Sequence, residues 1–125
     1  MTTATWADIA IDCPDAEQLA SFYHGLTGLP LHDWGSGFFS VGADDEGAIS
    51  IIFQQVEHYQ APTWPTQERG QQMHLDFQVD DLAEAVAAAE NLGATQAPDQ
   101  PGETWRVMLD PAGHPFCLSQ RSGEA

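Results

Sequence analysis

The chain has 125 residues, of which 42% are hydrophobic and four are tryptophan. This size and composition suit one globular domain with a single core, and no apolar run is long enough to cross a bilayer. The chain has three arginines, no lysine and nineteen acidic residues, so its net charge is 3 − 19 = −16. Such a charge repels phosphate groups, which argues against nucleic acids and anionic membrane surfaces as partners.

The same charge favours a cationic ligand, although acids scattered through every segment also fit a role in solubility or in a salty cytoplasm. The N-terminal residues show no basic stretch followed by an apolar one, so we expect a cytoplasmic protein. The two cysteines, Cys13 and Cys117, lie in strand-like runs and are too few for a disulfide framework. We expect both thiols to be reduced and buried.

The first half of the chain predicts a strand, a helix and three further strands. Apolar and polar residues alternate over residues 6–13, and a helix follows that Asp15 can cap and Gly28 can end. Strand-like runs divided by glycine turns come next, at residues 31–34, 38–41 and 48–54. The helix has an apolar stripe at spacings of three and four, made of Leu19, Phe22, Tyr23 and Leu26.

The second half predicts the same order of elements. Residues 56–72 show no periodicity and contain Pro62, Trp64, Pro65 and Gly70, so they are expected to connect the halves, and a connection of this length often carries function. The predicted elements are a strand at 73–79, a helix from Asp81 to Leu92, and strands near 94–97, at 104–109 and at 115–119. The second helix has its own apolar stripe, made of Leu82, Ala85, Val86, Ala89 and Leu92.

The two halves form an internal repeat with an offset of 74 − 8 = 66 residues. In this alignment Asp8 falls on His74, Ile11 on Phe77 and Asp15 on Asp81. Two copies suggest a closed pair of modules rather than an array of repeats. The sequence thus predicts a single α+β domain over residues 1–125, made of two βαβββ modules at about 6–55 and 73–119 that are joined by a loop at 56–72.

Three runs stand out within these modules: Ile11-Asp12-Cys13-Pro14-Asp15, His74-Leu75-Asp76 and the closing Leu109 to Leu118. Together with the order of the modules, these runs resemble the vicinal oxygen chelate superfamily. This superfamily includes glyoxalase I, extradiol dioxygenases and bleomycin-resistance proteins, and the chain is most similar to its small bacterial glyoxalase-like domains. The resemblance implies that each module curls its sheet into half of a cup, with the helices outside. It also implies a homodimer.

The resemblance further implies where a metal would bind. Metal-using members carry His or Glu at the start of each module's first strand and a carboxylate on each module's last strand. Here these positions hold Asp8, His74, Cys117 and an apolar residue within 51–53. Because both closing strands depart from the pattern, no metal or other cofactor is expected, and Asp8 is expected to hydrogen-bond with His74. The alternative is a divalent ion held by Asp8, His74 and Cys117.

Strand alternation places His74, Asp76 and Gln78 on one face of the second module, and it groups Asp8 with Asp12 in the first. So many ionisable groups on one face predict a wet, ligand-accepting cleft. Aromatic side chains beside acids suit flat or cationic molecules. The predicted ligand-binding residues are Asp8, Asp12, His74, Asp76, Trp34, Trp64 and Cys117.

Two functions are consistent with these residues. The first is a binding protein that sequesters a small, cationic or aromatic molecule without transforming it, as bleomycin-resistance proteins do. The second is a glyoxalase-like lyase or isomerase, or a dioxygenase, that depends on a metal or uses His74 and Asp8 as catalytic residues for proton transfer. We favour binding, because the metal ligand set is incomplete.

Overall fold

A computed structural model describes residues 3–45 and 48–121 of the chain. The chain folds into two compact units, residues 1–59 and 60–125, and the boundary falls inside the predicted connection. Each unit contains one helix and one four-stranded mixed sheet, so the predicted α+β class and the two βαβββ modules are confirmed. A single domain with one shared core stays a prediction. No helix in the described ranges is long and apolar enough to cross a membrane.

The first unit contains five elements in the predicted order. Its sheet has the strand order β1-β4-β3-β2, in which β1 pairs parallel with β4 and the other pairs are antiparallel. The elements are β1 (Asp8–Cys13), α1 (Ala16–Thr27), β2 (Leu31–Gly35), β3 (Phe38–Gly42) and β4 (Ser50–Gln55).

Local signals explain where α1 begins and ends. The Asp15 side chain accepts a hydrogen bond from the backbone N–H of Gln18 at 3.0 Å, and Gly28 ends the helix with a φ of 76°. The predicted stripe packs on the sheet, where the Tyr23 ring stacks on Phe53 with centroids 5.7 Å apart. On the edge strand β1, Ile11 and Cys13 are buried, whereas Ile9 near the start of the strand is 44% exposed.

The second unit repeats the arrangement with the strand order β5-β8-β7-β6. Its elements are β5 (Leu75–Val79), α2 (Leu82–Leu92), β6 (Thr95–Gln96), β7 (Trp105–Leu109) and β8 (Pro115–Gln120). Asp81 caps α2 by accepting from the N–H of Glu84 at 3.0 Å. The α2 stripe is less buried than predicted, since Ala89 alone of its five residues is fully buried.

Candidate functional site

The polar residues of β5 lie on the sheet face turned away from α2. Along β5, Asp76 and Gln78 are exposed while the intervening apolar residues are half-buried, as the alternation predicted. Asp76 pairs in register with Cys117 on the parallel strand β8, so the two side chains share a face. His74 lies two residues before Asp76 and therefore projects to the same side.

Three side chains meet on this face, and we call them the His74 cluster: His74, Asp76 and Cys117. The Nε2 atom of His74 lies 3.1 Å from the Cys117 Sγ and 3.4 Å from an Asp76 carboxylate oxygen. One ligand atom from each residue falls within 4.8 Å of the others. A nitrogen, an oxygen and a sulfur donor at this separation form a grouping that a divalent metal ion can use.

The environment of Cys117 keeps its thiol protonated. Burial, followed by the negative charge of Asp76 and a hydrogen bond to it, raises the Cys117 pKa from 9.0 to about 11. A neutral thiol is a weak nucleophile and a weak metal ligand. The cluster at neutral pH is therefore a hydrogen-bonded polar group rather than a thiolate site.

The surroundings of the His74 cluster are polar on one side and apolar on the other. The Nδ1 atom of His74 lies 3.2 Å from the side-chain oxygen of Gln71, which orients the imidazole ring. On the other side Cys117 packs with Ala97 and Val107, and half-buried aromatic and aliphatic residues cover this packing. These covering residues are Trp64, Trp105 and Leu109.

Among the residues that the structure describes, the first sheet has no counterpart of the His74 cluster. Asp8 and Asp12 are exposed on β1, as predicted, but the strand residue that corresponds to Cys117 is Ile52, opposite Ala10. An alkyl side chain at this position offers no ligand atom. Asp8 lies in the first unit and His74 in the second, so the expected hydrogen bond between them stays a prediction, as does a metal site that includes Asp8.

Trp34 is the most distinctive residue on the polar face of the first sheet. The pairing of β2 with β3 shifts register between Asp33 and Gly35, which leaves Trp34 as the extra residue of a β-bulge. A bulge re-aims the side chain that it carries. The hairpin turn that follows the bulge has positive φ at both central residues, 55° at Ser36 and 84° at Gly37. Turns of this kind match the twist of the two strands that they join.

The Trp34 ring is exposed but held in place. It is 64% exposed, and its indole N–H donates to the hydroxyl of the buried Ser40 at 2.8 Å. The His32 ring lies beside it at a centroid distance of 5.7 Å, and His32 Nε2 donates to Asp44 at 2.8 Å. We call Trp34, His32, Ser40 and Asp44 the Trp34 platform.

The predicted site residues fall in both units. In the second unit His74, Asp76 and Cys117 meet in one cluster, and Trp64 covers the apolar packing beside Cys117. In the first unit Trp34 stands on its platform, and Asp8 and Asp12 are exposed on β1. Sequence reasoning missed Gln71, Ser40 and Asp44, which are polar residues with no local pattern to mark them. His32 lies in β2, within the strand-like run predicted at 31–34, and its ring pairs with Asp44.

Comparison with known proteins agrees with this fold. The sequence model of a family described as "glyoxalase-like domain" matches residues 8–119. A glyoxalase/bleomycin resistance protein/dioxygenase family enzyme from Burkholderia phytofirmans PsJN is 22% identical with a TM-score of 0.67, over 94% of this chain and 98% of the other. A search of curated proteins finds no match.

Two further solved structures resemble the chain over nearly its whole length. A glyoxalase-related enzyme from Fulvimarina pelagi is 17% identical with a TM-score of 0.64, over 95% of this chain and 89% of the other. TnmS3, an antibiotic binding protein from Streptomyces sp. CB03234, is 18% identical with a TM-score of 0.59, over 98% and 99%. Sequence identities this low show a shared fold, but they do not show that these proteins bind the same ligand.

Proposed function

Because the chain belongs to the family of glyoxalase-like domains, within the vicinal oxygen chelate superfamily, we propose that it binds a small, planar, cationic molecule without transforming it. The Trp34 platform is the proposed contact surface. One protein of the same fold, TnmS3, is an antibiotic binding protein, which supports sequestration as a role for this architecture. Binding without transformation is also the function that the sequence favours.

The observation that carries this proposal is an exposed tryptophan ring fixed by a buried partner. A ring that is 64% exposed and already oriented by Ser40 loses little further freedom when a ligand stacks on it. Asp44 accepts a hydrogen bond from His32, whose ring lies next to that of Trp34. The chain also carries a net charge of −16. A flat cation is therefore favoured by stacking, by cation–π attraction and by the long-range field.

The first prediction compares two exposed tryptophans. Proflavine, a planar cation, is titrated by isothermal calorimetry into the unaltered protein, Trp34→Ala and Trp6→Ala. Trp6 is 71% exposed but lies before β1, away from the platform residues in sequence, so it controls for non-specific stacking. We expect Trp34→Ala to weaken proflavine binding about tenfold and Trp6→Ala to change it less than about twofold.

Two further measurements sharpen the comparison. Trp34→Phe keeps an aromatic face but loses the hydrogen bond to Ser40, so its affinity is expected to lie between those of the unaltered protein and Trp34→Ala. Acridine-9-carboxylate, a planar anion, is expected to bind more weakly than proflavine. Equal losses of proflavine affinity in Trp34→Ala and Trp6→Ala would show that the Trp34 platform is not the binding surface.

A second function, a metal-dependent glyoxalase-like enzyme, is favoured by the His74 cluster. Its three donors fit a zinc-type ion that needs nitrogen, oxygen and sulfur ligands, with His74, Asp76 and Cys117 as the residues that would hold it. Such an ion would supply Lewis acidity and an acidified bound water. The raised Cys117 pKa counts against this function, because the thiol must lose its proton before it binds a metal.

The second prediction tests this alternative by thermal melting with added zinc, nickel or manganese and then with a chelator. An ion at about 100 times its dissociation constant adds about 2.7 kcal/mol to the free energy of unfolding. If the His74 cluster holds the ion, Asp76→Asn abolishes the added stability and Asp8→Asn leaves it intact. The reverse result would favour the site that includes Asp8. Absence of any shift in the unaltered protein would end the metal-dependent alternative and leave binding as the proposed function.

A further inference from the structure

A recess of about 330 Å³ lies in the second unit, on residues that neither the Trp34 platform nor the His74 cluster uses. It opens between the connecting segment and the loop that precedes β7. Its volume is within the range of small-molecule sites. The residues that line it are Trp64, Pro65, Asp99, Gln100 and Pro101.

The walls of this recess are held rigidly. The Gln100 side chain mimics a neighbouring strand: its carbonyl oxygen accepts from the N–H of Val107 at 2.9 Å, and its amide nitrogen donates to the carbonyls of Val107 and Ala97. Trp64 is partly buried and packs on the cluster of Ala97, Val107 and Cys117. The positions of both lining residues are thus set before any ligand arrives, which limits the entropy that binding costs.

The connecting segment is also braced from its own side. Thr63 N–H donates to the Arg69 carbonyl at 2.7 Å, and the Arg69 N–H donates to the Thr63 hydroxyl at 3.0 Å. The Arg69 guanidinium donates to the carbonyl of Ala61 at 2.8 Å. These bonds close residues 61–69 into a compact loop and hold Trp64 at the edge of the recess.

The lining chemistry selects a particular class of ligand. Of the five lining residues, Asp99 alone carries a charge, and it is exposed. Proline rings have no N–H to donate, and the Gln100 amide is already engaged. A ligand here meets an indole face, two apolar rings and one carboxylate. This set suits a cation with an apolar shell that needs few hydrogen bonds.

We propose that this recess binds an alkylated ammonium group, with the ammonium over the Trp64 indole and beside the Asp99 carboxylate. The alkyl substituents contact Pro65 and Pro101, and the net charge of −16 raises the local concentration of such cations. The inference stands apart from the proposed function, because it uses no residue of the Trp34 platform.

The third prediction tests the recess with choline and its uncharged carbon isostere, 3,3-dimethylbutan-1-ol. Each of the four tryptophans contributes one indole N–H signal to a ¹H–¹⁵N spectrum, and single Trp→Phe variants would assign these signals. We expect choline to shift the Trp64 signal in a saturable way. We expect the isostere to bind at least about fivefold more weakly, because it lacks the charge.

A pair of variants separates a specific contact from a general charge effect. Asp99→Asn and Glu103→Gln each remove one acid from the same loop, but Glu103 does not line the recess. Asp99→Asn is expected to weaken choline binding about fivefold and Glu103→Gln less than about twofold. Equal effects of the two variants, equal binding of the isostere, or a Trp64 signal that never saturates would each overturn the proposal. A shift confined to the Trp34 signal would also overturn it while leaving the Trp34 platform standing.

Discussion

The two cysteines show how much the neighbours of a side chain decide its chemistry. Both cysteines are reduced and buried, as the sequence predicted. Cys13 is fully buried and its thiol donates to the carbonyl of Gln54 at 3.6 Å. Cys117 instead lies against an imidazole and a carboxylate, and the negative charge of Asp76 opposes its ionisation. The pKa of Cys117 is raised for this reason in addition to burial.

The fourth prediction follows from that raised pKa. A thiol that ionises near pH 11 reacts slowly with iodoacetamide at pH 8, because the thiolate is the reacting form. Asp76→Asn removes the charge that opposes ionisation, so the Cys117 pKa falls and alkylation at pH 8 is expected to accelerate at least about threefold. Peptide mapping by mass spectrometry follows Cys117 and Cys13 together.

Cys13 serves as the internal control in the same sample, because it reports opening of the fold in general. If both cysteines accelerate equally in Asp76→Asn, the variant has loosened the protein and the electrostatic explanation fails. The sign of the linkage gives a second check. A folded-state pKa raised from 9.0 to about 11 stabilises the protein below pH 9, and this contribution is lost as the pH rises towards 11.

At the scale of the elements, the two helices of the repeat are capped alike but packed differently. The side chains of Asp15 and Asp81 each accept a hydrogen bond of 3.0 Å from a backbone N–H in the first turn of their helix. A glycine follows each helix. Yet α1 buries five residues, whereas α2 buries Ala89 alone. Part of the reason is side-chain size, since aromatic rings in α1 are replaced at the corresponding positions of α2 by alanine.

The fifth prediction uses one substitution in both helices. Leu19 on α1 is 1% exposed, while Leu82 on α2 is half-buried. Leu19→Ala is expected to lower the free energy of unfolding by about 3 kcal/mol, and Leu82→Ala by about 1 kcal/mol, because less apolar surface is involved. Urea denaturation measures both. Leucine and alanine differ little in helix propensity, so the difference between the two losses of stability reports packing. Equal losses would contradict the described asymmetry.

At the scale of the whole molecule, the arginines leave most of the negative charge unpaired in the part of the chain that the structure describes. Arg121 pairs with Asp80 at 3.0 Å on the surface, while Arg69 and Arg106 donate to backbone carbonyls. An exposed pair of this kind contributes little to stability. The acidic surface therefore keeps its long-range field, which supports a cationic ligand at the Trp34 platform and at the Trp64 recess alike.

The sequence by itself determined the fold class, the order of the elements and the face on which most strand residues lie. These features follow from signals within a few residues: the alternation around His74 and Asp76, the helical spacing from Leu19 to Phe22, and the caps at Asp15 and Asp81. Each signal involves residues that are close together in sequence, so it can be recognised without knowing the tertiary structure. The family resemblance was confirmed for the same reason, because its motifs are local.

Only the tertiary structure decided which of these residues meet. Asp76 stands beside His74 and Cys117 within the second unit, because β5 and β8 pair in a register that joins residues 117 − 76 = 41 positions apart. The bulge that aims Trp34 depends on the match between two strands, and the Cys117 pKa depends on burial by residues distant in sequence. Strand register and burial are properties of the assembled chain, and no local pattern encodes them.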